Sequence, residues 1–116
     1  MDNKRALIQV LKNVRFKAIP YEMVAMFDAL LAVGRVQGVQ PVITGASYEN
    51  YPVGKVHDQG YAIDVRTSNI PDVKGFVEGL RYTLGSLSPR YKVLYGDPTH
   101  LDHIHIGFSW YYAKKI

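Results

Sequence analysis

The segment Asp102-His103-Ile104-His105-Ile106-Gly107-Phe108 constrains this 116-residue chain more than any other. Imidazole and isoleucine alternate at period two, the side-chain period of a β-strand and not of a helix. On a strand, His103 and His105 point to one face while Ile104 and Ile106 point to the other. Two imidazoles above an apolar opposite face is what a polar site mounted on a sheet requires. Tyr61 to Arg66 follows the same rule, with Ala62 and Asp64 on one face and Tyr61, Ile63 and Val65 on the other.

The remaining elements are placed around these two strands. Residues 3–16 are read as a short amphipathic helix, because Ala6, Leu7, Val10, Leu11 and Val14 recur at helical spacing. Pro20 ends that pattern. A second, more apolar helix is predicted over 21–36 (Met23, Val24, Met26, Phe27, Leu30, Leu31, Val33), closed by Gly34 and Gly38. Val39 to Thr44 is rich in β-branched residues and reads as a strand, followed by an irregular loop from Gly45 to Lys55. Asn69-Ile70-Pro71-Asp72 opens a helix over Val73 to Leu84, which Gly75 and Gly79 weaken. Tyr91 to Tyr95 and His103 to Phe108 are the last two strands, separated by the turn Gly96-Asp97-Pro98. Helices first, then strands carrying a further helix, predict an α+β fold. A single small domain over 1–116 is expected, with a mostly antiparallel sheet and N-terminal helices packed against it. Apolar residues at 47% against 21% charged argue against disorder.

Composition excludes several kinds of chemistry. Without cysteine there is no disulfide, no thiolate metal site and no cysteine nucleophile. A net charge of +4 is mild and spread along the chain, so it favours anionic partners without choosing among them. No recognition motif for nucleic acid is present, and no segment is apolar for long enough to span a bilayer. The early apolar residues are interrupted by Lys12, Asn13, Arg15 and Lys17, unlike a signal peptide, so the chain is expected to start out in the cytoplasm. Neither a nucleic acid nor a membrane is expected as a partner, and a monomer is expected.

The four histidines are His57, His100, His103 and His105. The last three lie within six residues, beside Asp97 and Asp102. His57 opens the run His57-Asp58-Gln59-Gly60-Tyr61-Ala62-Ile63-Asp64. An unbroken strand would send His57 and Asp64 to opposite faces, so a change of direction is expected between them, and Gly60 can supply it. Ala62 is small and leaves room above the sheet beside Asp64. A carboxylate flanked by Ile63 and Val65 needs a partner. Joining the two segments brings His, Asp and His together from neighbouring strands. That donor set binds Zn²⁺ tetrahedrally with a fourth position open, where zinc lowers the pKa of a water to roughly 7. The same set also suits iron or manganese.

His57-x-x-Gly60-x-Ala62-x-Asp64 followed by His103-x-His105 resembles the zinc D-Ala-D-Ala carboxypeptidase family. That family includes L-alanyl-D-glutamate endopeptidases of phage endolysins and shares a fold with the hedgehog signalling domain. The similarity runs from about Val42 to Phe108. It implies that His57, Asp64 and His105 bind zinc and that peptidoglycan stem peptides are the substrate. It further implies a general base three residues before the last ligand, which is Asp102. By alternation Asp102 faces away from His105, so it serves only if it lies where the chain bends into the strand. His103 shares the face of His105 and is the candidate to stabilise the oxyanion, or to act as the base instead. His100 is expected to be structural or a partner of the ligands.

Two positions depart from the family pattern. Thr44-Gly45-Ala46-Ser47 places Ser47 where the family carries an arginine, and Lys55 stands where it carries a serine. Lys55 is the candidate to replace the missing charge, and both residues are candidate substrate contacts, although an ammonium does not reproduce a bidentate guanidinium. A metal-binding module of the same fold without turnover is the alternative function.

Overall fold

A computed structural model describes residues 8–16, 19–50 and 59–109. The elements run β1 (Gln9–Val10), α1 (Tyr21–Gln37), β2 (Val42–Asn50), β3 (Gln59–Arg66), α2 (Val73–Gly85), β4 (Tyr91–Leu94) and β5 (His103–Ser109). The strands form one sheet in the order β1-β2-β3-β5-β4. Every pairing is antiparallel except β1 with β2. The fold is α+β, with two helices and a five-stranded, mostly antiparallel sheet among the described residues.

The expected helix over 3–16 is not formed in its described part. Gln9 N–H donates to the Pro41 carbonyl at 2.9 Å and Leu11 N–H to the Ile43 carbonyl at 3.1 Å, so this stretch adds a short parallel strand to the edge of β2. A helix of that length is marginal alone. Pairing with an open sheet edge supplies backbone partners that helical spacing of apolar residues cannot outweigh.

α1 and α2 form where expected. Gly38 closes α1 in the left-handed conformation (φ 70°), where a side chain would be strained. Asp72 caps α2, its side chain accepting from Gly75 N–H at 3.0 Å. The two caps are tied together: Gln37 Nε2 donates to the Asp72 carbonyl and Asp72 N–H donates to Gln37 Oε1. The glycines that weaken α2 have packing roles. A Cβ on Gly75 would collide with the capping carboxylate, and one on Gly79 would stand 3.2 Å from Val33, where α1 and α2 cross closely.

Both helices cover one face of the sheet. Met23, Met26, Leu30, Phe76, Leu80 and Leu84 pack there against Ile43, Ile63, Val65, Val93, Ile104 and Ile106. This fixes the orientation of every other strand residue. With Ile63, Val65, Ile104 and Ile106 inside, Asp64, His103 and His105 must lie on the opposite face.

Tyr91 fastens the end of β4 to α1, its hydroxyl donating to the Glu22 carbonyl at 2.8 Å. Burial, with Glu22 and Tyr21 nearby, pushes this phenol up to about 12. The folded state therefore holds its proton more tightly than the unfolded chain. This contribution to stability is whole below the unfolded value of about 10 and is lost as pH rises through about 12. Denaturation midpoints of wild type and Tyr91→Phe at pH ~9 and ~12 should show a pH-dependent loss in wild type that the variant partly lacks. Equal losses would mean that Tyr91 does not titrate with unfolding.

Candidate functional site

β2 extends to Asn50, so Gly45 to Asn50 belong to a strand and not to the expected loop. The strand carries an irregularity that matters to the site. Ile43 pairs with Val65 and Gly45 with Asp64, which leaves Thr44 as an extra residue, a β-bulge. The bulge reverses the alternation, so Ile43 and Ala46 face the core while Gly45 and Ser47 face the opposite side with Asp64 and Ala62. A Cβ on Gly45 would stand 3.2 Å from Asp64 Oδ2, so the bare backbone there leaves space for the carboxylate.

Asp64 on β3 and His105 on β5 are directly opposed. Their side chains meet, with His105 Nδ1 3.0 Å from Asp64 Oδ1. An ionised carboxylate has no proton to give, so the imidazole N–H is the donor. The neighbouring pair, Arg66 and His103, brings His103 Nε2 to 3.8 Å from the same oxygen. His103 Nδ1 lies 3.0 Å from Asp102 Oδ1. Asp102 precedes the first residue of β5 and is outside its alternation, with Thr67 Oγ1 donating to its carbonyl at 3.0 Å. Its carboxylate therefore reaches the His103 side despite the parity argument against it. The side chains of His103 and His105 are 27% and 26% exposed, within reach of solvent but ordered by their partners.

His100 joins this group through a turn that sequence periodicity does not reach. Gly96 N–H donates to the His100 carbonyl at 2.7 Å and His100 N–H donates to the Asp97 carbonyl at 2.9 Å. The ring's Nδ1 sits 2.7 Å from Asp97 Oδ1 and 3.0 Å from Thr99 Oγ1. Its centroid is 5.2 Å from that of His103 and 5.3 Å from that of His105. Three imidazoles and three carboxylates thus gather at one end of the open face. The signal available in the sequence was the turn Gly96-Asp97-Pro98, which returns the chain toward β5.

The electrostatics follow from these contacts. The bonded His105 imidazole holds the Asp64 carboxyl below the usual carboxylate range, against an opposing push from burial. His100 lowers Asp97 in the same way, and His103 lowers Asp102. All three carboxylates are ionised at neutral pH. Asp64, Asp102, His103, Arg66, Thr44 and Ser68 line a shallow depression of about 430 Å³.

Gly60 is not where the chain changes direction. It sits inside β3, paired with Glu49 and Ser109. Gly60 therefore does not supply the change of direction expected between His57 and Asp64. His57 and Lys55 lie outside the described residues. Ser47 is exposed and pairs with Ala62, one alternation step from Asp64.

Among the described residues, no group of three or more His, Asp or Glu is arranged to hold a metal ion. Two of the three expected ligands, Asp64 and His105, are nevertheless side by side. Atoms bound to one tetrahedral zinc at 2.0–2.1 Å stand about 3.3 Å apart. The 3.0 Å separation of His105 Nδ1 and Asp64 Oδ1 is close to that spacing. The donor chemistry, imidazole nitrogen and carboxylate oxygen without sulfur, suits zinc. Comparison of the chain with protein-family models, with curated proteins and with solved structures returns no match.

Proposed function

We propose that the protein is a zinc metallopeptidase that hydrolyses peptide bonds in bacterial peptidoglycan stem peptides, with His57, Asp64 and His105 as its metal ligands. The observation that carries this is the juxtaposition of Asp64 and His105 across β3 and β5, beside Asp102 and His103 and over the small residues Gly45 and Gly107. Asp64 and His105 would hold the ion, with His57 as the third ligand. Bound zinc would supply an acidified water and polarisation of the scissile carbonyl. Asp102 is ionised and exposed, so it is able to accept the proton of the attacking water and return it to the leaving amine. His103 is held by Asp102 on one nitrogen and presents the other toward Asp64, where it stabilises the oxyanion as a donor. The hedgehog-type fold belongs to the same proposal.

The test is elemental analysis of wild type and His57→Ala, purified in parallel without added metal. About one zinc per chain, lost in the variant, is the expected result. No metal in wild type, and none taken up on titration, overturns the proposal. Ser47 in place of the family arginine favours a second reading, a zinc-binding module without turnover. Bound zinc with no release of amino groups from cell walls selects it.

A further inference from the structure

We propose that Arg66 binds a carboxylate on the substrate residue that supplies the leaving amine, and so replaces the arginine that the chain lacks at Ser47. The assignment rests on the peptidase function proposed above and narrows its substrates to peptides with an anionic group beside the scissile bond.

Arg66 is the last residue of β3 and two residues beyond Asp64, so it shares the open face with Asp64. It pairs across the sheet with His103. Its side chain lines the depression that Asp64, Asp102 and His103 also line, and it is half-buried there. Among the described residues, no carboxylate or carbonyl is in hydrogen-bond or ion-pair contact with it, although Asp64 and Asp102 border the same depression. A half-buried guanidinium ordinarily finds a fixed partner, because its five donors are costly to leave unmet. Water and an exchangeable ligand are what remain to satisfy this one. A guanidinium also presents a planar fork that matches a carboxylate bidentately, which the ammonium of Lys55 cannot do. Arg66 is fixed on a strand next to His103. Ser68 adds a hydroxyl group to the depression that suits a remaining lone pair of a bound carboxylate, whereas the Thr44 hydroxyl, also on its lining, donates to the Asp64 carbonyl at 3.5 Å.

The probes are N-acetyl-D-alanyl-D-alanine and its C-terminal amide. Each is titrated into wild type, Arg66→Gln and Arg66→Lys, followed by protein NMR shifts, and each is then assayed for hydrolysis with zinc present. Wild type is expected to bind the acid roughly tenfold to a hundredfold more tightly than the amide, as loss of a charge-assisted pair requires. Arg66→Gln should bind both equally weakly, with the loss appearing in KM, and Arg66→Lys should keep part of the preference. An acid preference that survives in Arg66→Gln, or no saturable binding of the acid to wild type, overturns the assignment. Failure of the two proposals is distinguishable. Hydrolysis with an unchanged acid preference in Arg66→Gln leaves a peptidase whose anion contact is elsewhere. Loss of that preference in a protein that neither holds zinc nor hydrolyses peptide leaves an anion site without the peptidase.

Discussion

Asp64→Ala is expected to lose zinc and to release no measurable amino groups from bacterial cell walls. The side chain is the hub of the open face: one oxygen meets His105 at 3.0 Å and His103 at 3.8 Å. Removing groups that merely support a metal ligand costs about 10–100-fold in affinity or activity, so removing Asp64, a ligand in the proposed function, should cost at least about 100-fold. The variant should still fold. Asp64 is 37% exposed and on the face away from the helices, so the core beneath it is untouched. Circular dichroism of the metal-free proteins should give similar spectra, while zinc should raise the melting temperature of wild type only. The measurement is amino-group release from purified cell walls with and without a chelator. Chelator-sensitive release that persists at wild-type level in Asp64→Ala would remove Asp64 from the metal site.

Phe76→Ala should cost about 3–5 kcal/mol of folding stability. Phe76 is fully buried on α2 and belongs to the cluster that seats both helices on the sheet. Its truncation removes the transfer energy of the ring and leaves a cavity that neighbouring elements cannot collapse into. For a domain with about 5–15 kcal/mol in hand this is a large fraction, equivalent to roughly 12–20 °C in melting temperature. Tyr82 lies on the same helix but is 80% exposed, and Tyr82→Ala should stay within about 0.5 kcal/mol. Thermal or urea denaturation of the two variants measures the contrast. Equal costs would mean that α2 is not seated on the sheet by Phe76.

The contrast between these variants reflects how the sheet divides its labour. Alternating residues of β3 and β5 serve two purposes: Ile63, Val65, Ile104 and Ile106 bury the helices, and Asp64, His103 and His105 build the site. Ile63 and Val65 beside Asp64, and Ile104 and Ile106 beside His105, hold the backbone in place, so two polar side chains meet without a loop to position them. Arg66 ends β3, and His100 is brought in by the turn that precedes β5.

Local pattern was enough for the elements whose physics is local. Period-two alternation put His103 and His105 on one face and Asp64 on the face of Ala62, and the apolar spacing of Met23 to Val33 with Gly38 after it placed α1. It misplaced residues 8–16, because the apolar spacing of that stretch fits a helix while its backbone partners are the distant residues Pro41 and Ile43. Alternation says which residues share a face but not which residue of another strand stands opposite. That register, Asp64 against His105 and Arg66 against His103, depends on pairing between segments some forty residues apart in the chain. The bulge at Thr44 is likewise invisible locally, since only the register of β2 against β3 shows that one residue is extra and that Gly45 and Ser47 consequently face the site. A single-residue slip in either pairing would turn the same side chains into the core, and it is the burial of the isoleucines beneath both helices that forbids it.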